Sequence, residues 1–404
     1  MPSFTPPLGH EAAPEASPWL AIVGIGEDGL AGLSPAARAA LDGAELVFGG
    51  PRHLALAQVG MRGKAWPQPF DLAPLLALRG RRVAVLASGD PFWFGVGGSL
   101  SRHLAPAEWR AFPGASCFSL ACARLGWRIE DVACRGLHAA PFEVLAADLA
   151  PGARLLVTLR DGAAVAALAE WLAVEGWGAS TLTAMQALGG PDEAVATAPA
   201  HAFAAAMRAP VLAAITCKGG EALPLAPGLP EAAFAHDGQI TKARVRALTL
   251  AALAPQRGDM LWDLGAGSGS VSVEWCRLGG RAVAVETRPD RCANIAENAR
   301  RFGLGARLAV RQGDSLAQLP TLPAPDAIFV GGGFDAALFT ALRRAAPQAR
   351  LVVNAVTLTT QALLTELHAR HGGALWRIDL AQAAPLGPGH GWQAARSVMQ
   401  WSLP

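Results

Sequence analysis

The sequence predicts two α/β domains in tandem. Short apolar runs alternate with Ala-rich helical stretches along the chain, a Gly/Pro-rich break interrupts this near the middle, and the alternation resumes around a second glycine loop. Strands separated by helical stretches are the pattern of βα units around a mainly parallel sheet. A length of 404 residues suits two such domains, each large enough to bury its own core.

In the first half, WLAIVGIG, RRVAVLASGD, LLVTLR (155–160) and APVLAAITC (209–217) read as strands. LSPAARAALDGAELV, GVGGSLSRHL and residues 163–174 read as helical. Between Cys217 and Asp237 the text gathers Gly and Pro without sustained periodicity, which marks a linker. The expected division is a disordered Pro/Ala-rich tail at 1–18, a first domain at 19–220, a linker at 221–236 and a second domain at 237–404.

The tail has no basic segment followed by an apolar core, and no uncharged apolar run reaches ~18 residues. The expectation is a cytoplasmic protein that is neither exported nor membrane-spanning. Hydrophobic residues make up 52% and charged residues 16%, a globular composition. With 34 Lys+Arg against 32 Asp+Glu, the formal charge of +2 is too small to hold a polyanion across a broad face, so nucleic acid is not an expected partner. A local basic pocket for a small polycarboxylate stays open. Six cysteines without CxxC pairs read as reduced core thiols over metal ligands or disulfides.

In the second half, Asp263-Leu264-Gly265-Ala266-Gly267-Ser268-Gly269 follows the strand MLWDL and opens the helix SVSVEWCRL. Glycines there let a nucleotide-like ligand approach the backbone, and the new helix offers free N–H groups. Glu286 ends the strand AVAVE, 21 positions after Gly265, where an acid can accept both hydroxyls of a ribose. The spacing is GxGxG, and the Asp263 carboxylate would repel a pyrophosphate while suiting the amino group of S-adenosylmethionine (SAM). The expected nucleoside is therefore SAM, not a nicotinamide cofactor.

Asp314, in Gly313-Asp314 after RLAVRQ, is a candidate contact for the adenine amine; capping the next helix is the alternative. Gly331, Gly332 and Gly333 follow the strand APDAIFV and offer either a side-chain-free floor for a bulky acceptor or a plain turn. DGQITKARVRALTLAAL, DLGAGSGSVSVEW, FVGGG and LVVNAVTL, in this order, resemble the precorrin C15 methyltransferase and decarboxylase family over about Ala235 to Leu403.

In the first half, Gly24-Ile25-Gly26-Glu27-Asp28-Gly29 fits GxGxxG, but no acid ends a second strand about 20 residues on, so a dinucleotide site is weakly supported. Asp90, between Gly89 and Pro91 at a strand end, is an acid fixed on a turn. GIGEDGLAGLS, ASGDPFWFG, FPGASCFSLACARLG and LGGPDE together resemble the tetrapyrrole methylases, on the precorrin C5 methyltransferase branch, over about Trp19 to Lys218. The resemblance implies that Gly89, Asp90, Gly114 and Ser116 line a SAM cleft and that Gly24 and Gly26 lie nearer the tetrapyrrole. Two positions depart from the family: Cys117 replaces a serine, and Gln186-Ala187 replaces Glu-Asn.

The two resemblances imply a tetrapyrrole-methylase-like α/β domain followed by a Rossmann-like class I SAM-dependent methyltransferase domain. They imply methylation of electron-rich meso carbons of a reduced tetrapyrrole, and loss of carbon dioxide from an acetate side chain in the second half. Substrate and sulfonium supply the reactivity, so no catalytic triad is needed. Cationic holders for the macrocycle's carboxylates are sought at Lys242, Arg244 and Arg246, the arginines being alternatively solvated surface charges. Asn354 in LVVNAVTL is a candidate to face the reacting carbon, or a capping or turn residue. His390, in the loop PLGPGHGW, is a candidate to touch the substrate or shuttle a proton, or an ordinary loop histidine. The second resemblance also implies a homo-oligomer, a tetramer being one form. The rival readings are a fused methyltransferase acting on RNA or another small molecule, and a SAM-binding protein with an inactive first half.

Overall fold

The computed structural model describes residues 18–404, so the expected tail lies outside the described residues except for its last position. The chain divides into two compact units. The first runs to Ala140 and resumes over Ala150–Glu221; the second takes Pro141–Leu149 and Ala222–Pro404.

The first unit contains two sheets. One is built from β1 (Leu20–Ile25), β2 (Leu46–Gly49), β3 (Gly63–Ala65), β4 (Val83–Ser88) and β5 (Trp109–Phe112), ordered β3-β2-β4-β1-β5, with every pair parallel. Between and after these strands come α1 (Pro35–Asp42), α2 (Pro51–Leu56), α3 (Ala73–Leu76), α4 (Gly97–Leu100) and α5 (Cys117–Leu125). Only four residues of the expected helix GVGGSLSRHL, Gly97–Leu100, are helical, and two of the four are glycines, which are weak helix formers.

The other sheet takes β6 (Ala133–Leu137), β7 (Arg154–Leu159), β8 (Thr181–Gln186), β9 (Ala194–Pro199) and β10 (Val211–Thr216), ordered β6-β7-β10-β8-β9. Here the expected mainly parallel pairing does not hold. Only β6 and β7 are parallel; the other three pairs are antiparallel. The link from β8 to β9 is a short turn, residues 187–193, and a parallel neighbour needs a crossover of a dozen residues or more. Between β7 and β8, α6 (Gly162–Val174) buries Val165, Leu168 and Leu172.

The second unit is built on one seven-stranded sheet with helices on both faces. Its helices are α7 (Ala243–Leu253), α8 (Ser270–Arg277), α9 (Pro289–Arg301), α10 (Ser315–Gln318), α11 (Ala336–Ala345) and α12 (Leu358–His371). Its strands are β11 (Met260–Leu264), β12 (Arg281–Glu286), β13 (Leu308–Gln312), β14 (Ala327–Val330), β15 (Arg350–Ala355), β16 (Ala374–Ile378) and β19 (Val398–Leu403), ordered β13-β12-β11-β14-β15-β19-β16. The five from β13 to β15 are parallel, and β19 runs antiparallel to both neighbours. Successive strand residues enter opposite cores: Leu261 packs with Leu250, Val271 and Ile295, whereas Trp262 and Leu264 pack with Leu338, Leu342 and Leu364. The chain winds outward from β11 in one direction and from β14 in the other, so a crevice opens beyond the carboxyl ends of these two strands.

Two expectations are corrected here. The stretch 221–236, expected as a linker, is bound down in its second half: Leu229 and Phe234 are buried in the core of the second unit. The expected loop around His390 is a hairpin, β17 (Ala381–Leu386) paired with β18 (Gly389–Ala394), its turn made possible by Gly387 at φ +58°.

Candidate functional site

Each unit presents a cleft at the carboxyl ends of its parallel strands. In the first, Gly89 follows β4 at φ +53°, and a Cβ there would lie 2.5 Å from the Ala115 carbonyl oxygen. Gly114 N–H donates to the Gly89 carbonyl at 3.0 Å, and a Cβ on Gly24 would come within 1.7 Å of that same oxygen. Three backbones therefore meet, and at Gly24 and Gly89 only glycine fits. Gly26, Gly89, Asp90 and Ser116 line the cleft, which encloses about 440 Å³, but Gly24 and Gly114 do not. These two differ from expectation in place: Gly24 lets β1 pack against Gly89, and neither Gly24 nor Gly114 lines the cleft.

The Asp90 carboxylate accepts the Phe92 N–H at 2.8 Å, which fixes the turn. Buried Ser116 caps α5 by accepting the Ser119 N–H at 3.1 Å. Trp66, Phe70, Trp93, Phe94 and Phe118 supply aromatic walls suited to a flat conjugated acceptor. Cys117 also lines the cleft, and burial pushes its thiol up to about 11, so it is a neutral wall group. At the second family departure, the Gln186 amide is spent on backbone, donating to Asp192 O and accepting from Arg208 N, while Ala187 holds a φ of +46°. The departure thus falls on the frame of a turn.

The larger cleft, about 940 Å³, lies in the second unit beyond β11, β12 and β14. Gly265 at φ +66° would bring a Cβ to 2.6 Å from Gly332 O, so the two glycine loops touch. Gly265, Gly267, Gly331 and Gly332 line this cleft. Gly269 does not: it faces Ile295, where a Cβ would stand 2.8 Å from a side-chain carbon, and its role is to seat α8 on α9. Buried Glu286 accepts from Gly267 N at 2.9 Å, Arg288 N at 3.0 Å and Thr287 Oγ1 at 3.2 Å, so the acid also anchors the glycine loop. Asp314 both lines the cleft and caps α10 through Ala317 N, which makes the two readings of this residue compatible.

Asp263 departs from expectation. It is fully buried, is not among the lining residues, and accepts from both the N–H and the hydroxyl of Ser272. Strand alternation turns it behind the loop, beneath the start of α8. Its Oδ1 has no partner, and burial pushes its carboxyl up to about 6. The folded pKa stands above the ordinary 3.8, so the folded state holds the extra proton at low pH and this contribution to stability is lost as pH rises through 6. Denaturant unfolding between about pH 5 and about pH 8 should cost the wild type on the order of 1 kcal/mol through this group, a loss absent in Asp263→Asn. An unchanged pH slope in the variant would refute the assignment.

Lys242, at the N-terminus of α7, lines the cleft; Arg244 points to solvent and does not. Arg246 is not a surface charge. It is wholly buried and donates to Glu274 at 2.7 Å. Asn354 sits within β15 at the cleft wall, donating to Thr249 Oγ1 at 2.9 Å and accepting from Gln400 at 3.0 Å, so it is neither a cap nor a turn residue. His390 lies exposed on the β17–β18 ribbon and is not brought to the cleft, because the ribbon leaves the sheet. Sequence reasoning missed Arg291 and Arg396, both lining. Arg291 braces the rim by donating to Asp237 at 2.9 Å and Gln239 at 2.6 Å. It also missed Glu27, Arg52, His53 and Ser88 in the first cleft; Glu27 and Ser88 lie inside the motifs GIGEDGLAGLS and ASGDPFWFG, and Arg52 and His53 follow the Gly49-Gly50 pair at the end of β2. Among the described residues, no three His, Cys, Asp or Glu gather as a metal site, and no helix is long and apolar enough to cross a membrane.

The family described as Tetrapyrrole (Corrin/Porphyrin) Methylases matches residues 20–204, and the precorrin methyltransferase domain family matches residues 232–404. A Sinorhizobium protein named precorrin-6Y C(5,15)-methyltransferase [decarboxylating] is 46% identical over 398 residues, covering 96% of both chains. The chain belongs to the precorrin-6Y C5,15-methyltransferase (decarboxylating) family. A second member of this family, from Mycobacterium tuberculosis, is 37% identical over 95% of this chain and 98% of its own. The crystal structure of the C-terminal domain of precorrin-6Y C5,15-methyltransferase from Rhodobacter capsulatus is 57% identical, covering 45% of this chain and 98% of that one, with a TM-score of 0.44. Like other precorrin-6Y C5,15-methyltransferases, the chain is a methyltransferase of two unlike methylase units.

Proposed function

We propose that each unit carries out one SAM-dependent methyl transfer on a precorrin-6B-type tetrapyrrole. The first unit acts at C5. The second acts at C15 and decarboxylates the C12 acetate, giving precorrin-8 in cobalamin formation. The observation that carries this reading is the presence of two separate clefts, one in each unit, each floored by glycine turns at the ends of parallel strands.

The second cleft suits the donor. Gly265 and Gly267 leave its backbone open to close approach, and Glu286 stands where ribose hydroxyls would donate. SAM supplies an electrophilic methyl group on sulfur. The residues orient and shelter the acceptor: Gly331 and Gly332 leave a floor without side chains, and Lys242 offers a cation to a rim carboxylate. In the first cleft, Asp90 and Ser116 frame the donor side and the aromatic walls face the macrocycle. A cytoplasmic homo-oligomer acting on a small molecule completes the reading.

The test is product mass after incubation with precorrin-6B and SAM. A gain of two methyl groups with loss of one carbon dioxide is expected, and Asp90→Ala should remove only the C5 methylation. An unchanged substrate mass, despite SAM binding by calorimetry, would overturn the reading.

A further inference from the structure

Four polar side chains gather on one wall of the first cleft, apart from its glycine floor: Glu27 after β1, Arg52 and His53 in α2, and Ser88 at the end of β4. Parallel pairing of β2 with β4 brings the start of α2 beside Ser88. His53 Nε2 lies 2.8 Å from Ser88 Oγ. Arg52 Nη2 lies 2.8 Å from the same hydroxyl and 2.9 Å from His53 Nε2, and Arg52 is ion-paired with Glu27. Ser88 directly precedes Gly89 and Asp90, so the cluster adjoins the framed donor site.

Methylation of a CH carbon releases a proton, and the cleft must pass it to an acceptor. Among the other titratable lining groups, Cys117 is held as a neutral thiol, Asp90 is tied to the turn, the Glu27 charge is opposed by Arg52, and the His138 imidazole is engaged with the Leu159 backbone, away from the Ser88 hydroxyl. Burial, and then the neighbouring Arg52 charge, lower His53 to about 4, so its imidazole is neutral with a lone pair at neutral pH.

We propose that Ser88 and His53 form a proton-accepting dyad for methyl transfer at the first cleft. This inference rests on the C5 reading above. As the C5 π electrons form the new C–C bond, the C–S bond breaks and its electron pair stays on sulfur, leaving one positive charge on the macrocycle. The C5 proton then leaves, its C–H electron pair restoring the conjugation. Ser88 Oγ takes this proton while passing its own hydroxyl proton to His53 Nε2. A C–H beside a conjugated iminium is acidic enough for a weak base. Arg52 donates to Ser88 and sets its orientation; its hydrogen bond to His53 Nε2 breaks as that nitrogen takes the proton, and Glu27 offsets the Arg52 charge as the imidazolium forms.

The experiment compares wild type, Ser88→Ala and His53→Ala in the full chain, with precorrin-6B and SAM. C15 methylation and decarboxylation by the second unit serve as the internal reference for enzyme amount, and SAM binding by the first unit as the reference for its folding. Each variant is expected to slow C5 methylation about 100-fold, with unchanged KM for the tetrapyrrole and unchanged Kd for SAM. Added imidazole should restore much of the His53→Ala rate. C5 rates within about threefold of wild type, or a loss accompanied by weakened SAM binding and no response to imidazole, would overturn the dyad. A wild type that leaves C5 unmethylated would instead overturn the reading on which the dyad rests.

Discussion

Glu286→Ala is expected to remove one of two SAM-binding events from a calorimetric titration while leaving the other intact. The carboxylate is buried, and it anchors the glycine loop through Gly267 N and the following turn through Arg288 N. Alanine would leave those donors unpaired and deprive a ribose of its acceptor. Hydrogen bonds to a charged group are worth about 1.5–3 kcal/mol each, so a combined loss on the order of 4 kcal/mol corresponds to about a thousandfold in Kd. C15 methylation and decarboxylation should fall with it, and C5 methylation should persist. Two undiminished binding events would remove Glu286 from the donor site.

The largest stability effect is expected at Arg246. Its guanidinium is fully buried, bonded to Glu274 and to the carbonyls of Thr241 and Leu229, with Phe234 under its plane at 4.7 Å. Glu274 in turn accepts from Leu229 N at 2.9 Å and Gly228 N at 2.6 Å. The pair clamps the segment before α7 onto the core, and that segment carries Gln239, Ile240 and Thr241 to the cleft. Arg246→Ala leaves a buried carboxylate without its cation, at a cost of about 3–5 kcal/mol. Arg246→Met combined with Glu274→Gln should destabilise less than the single change, because no lone charge stays buried. Denaturant unfolding of the second unit checks both, and equal stabilities of single and double variants would show that charge burial is not the cause.

The two clefts were unequally legible. Gly265, Gly267 and Glu286 could be read because one turn and the next strand end impose residue types at a short spacing. The same motif did not separate glycines that face a ligand from those that pack: Gly269 meets Ile295, 26 positions away, and Gly24 meets Gly89. Arg246 looked like a surface charge because its partner is 28 residues on, in another helix. Asn354 was located, but its partners Thr249 and Gln400 are 105 and 46 residues distant. The ribbon that carries His390 away from the cleft reads as a loop, since its Gly and Pro content hides two short strands.

By itself the sequence determined what depends on neighbours along the chain: two α/β units, the positive-φ turns that demand glycine, and the acid one strand after the loop. Tertiary structure alone decided which of these groups share a cavity. It set Asp263 behind its loop, buried Arg246 against Glu274, and brought Ser88 to His53 across two parallel strands. The physical reason is that hydrogen bonding and burial act over a few ångströms of space. Residues far apart in sequence meet only once the sheets have registered and the cores have closed.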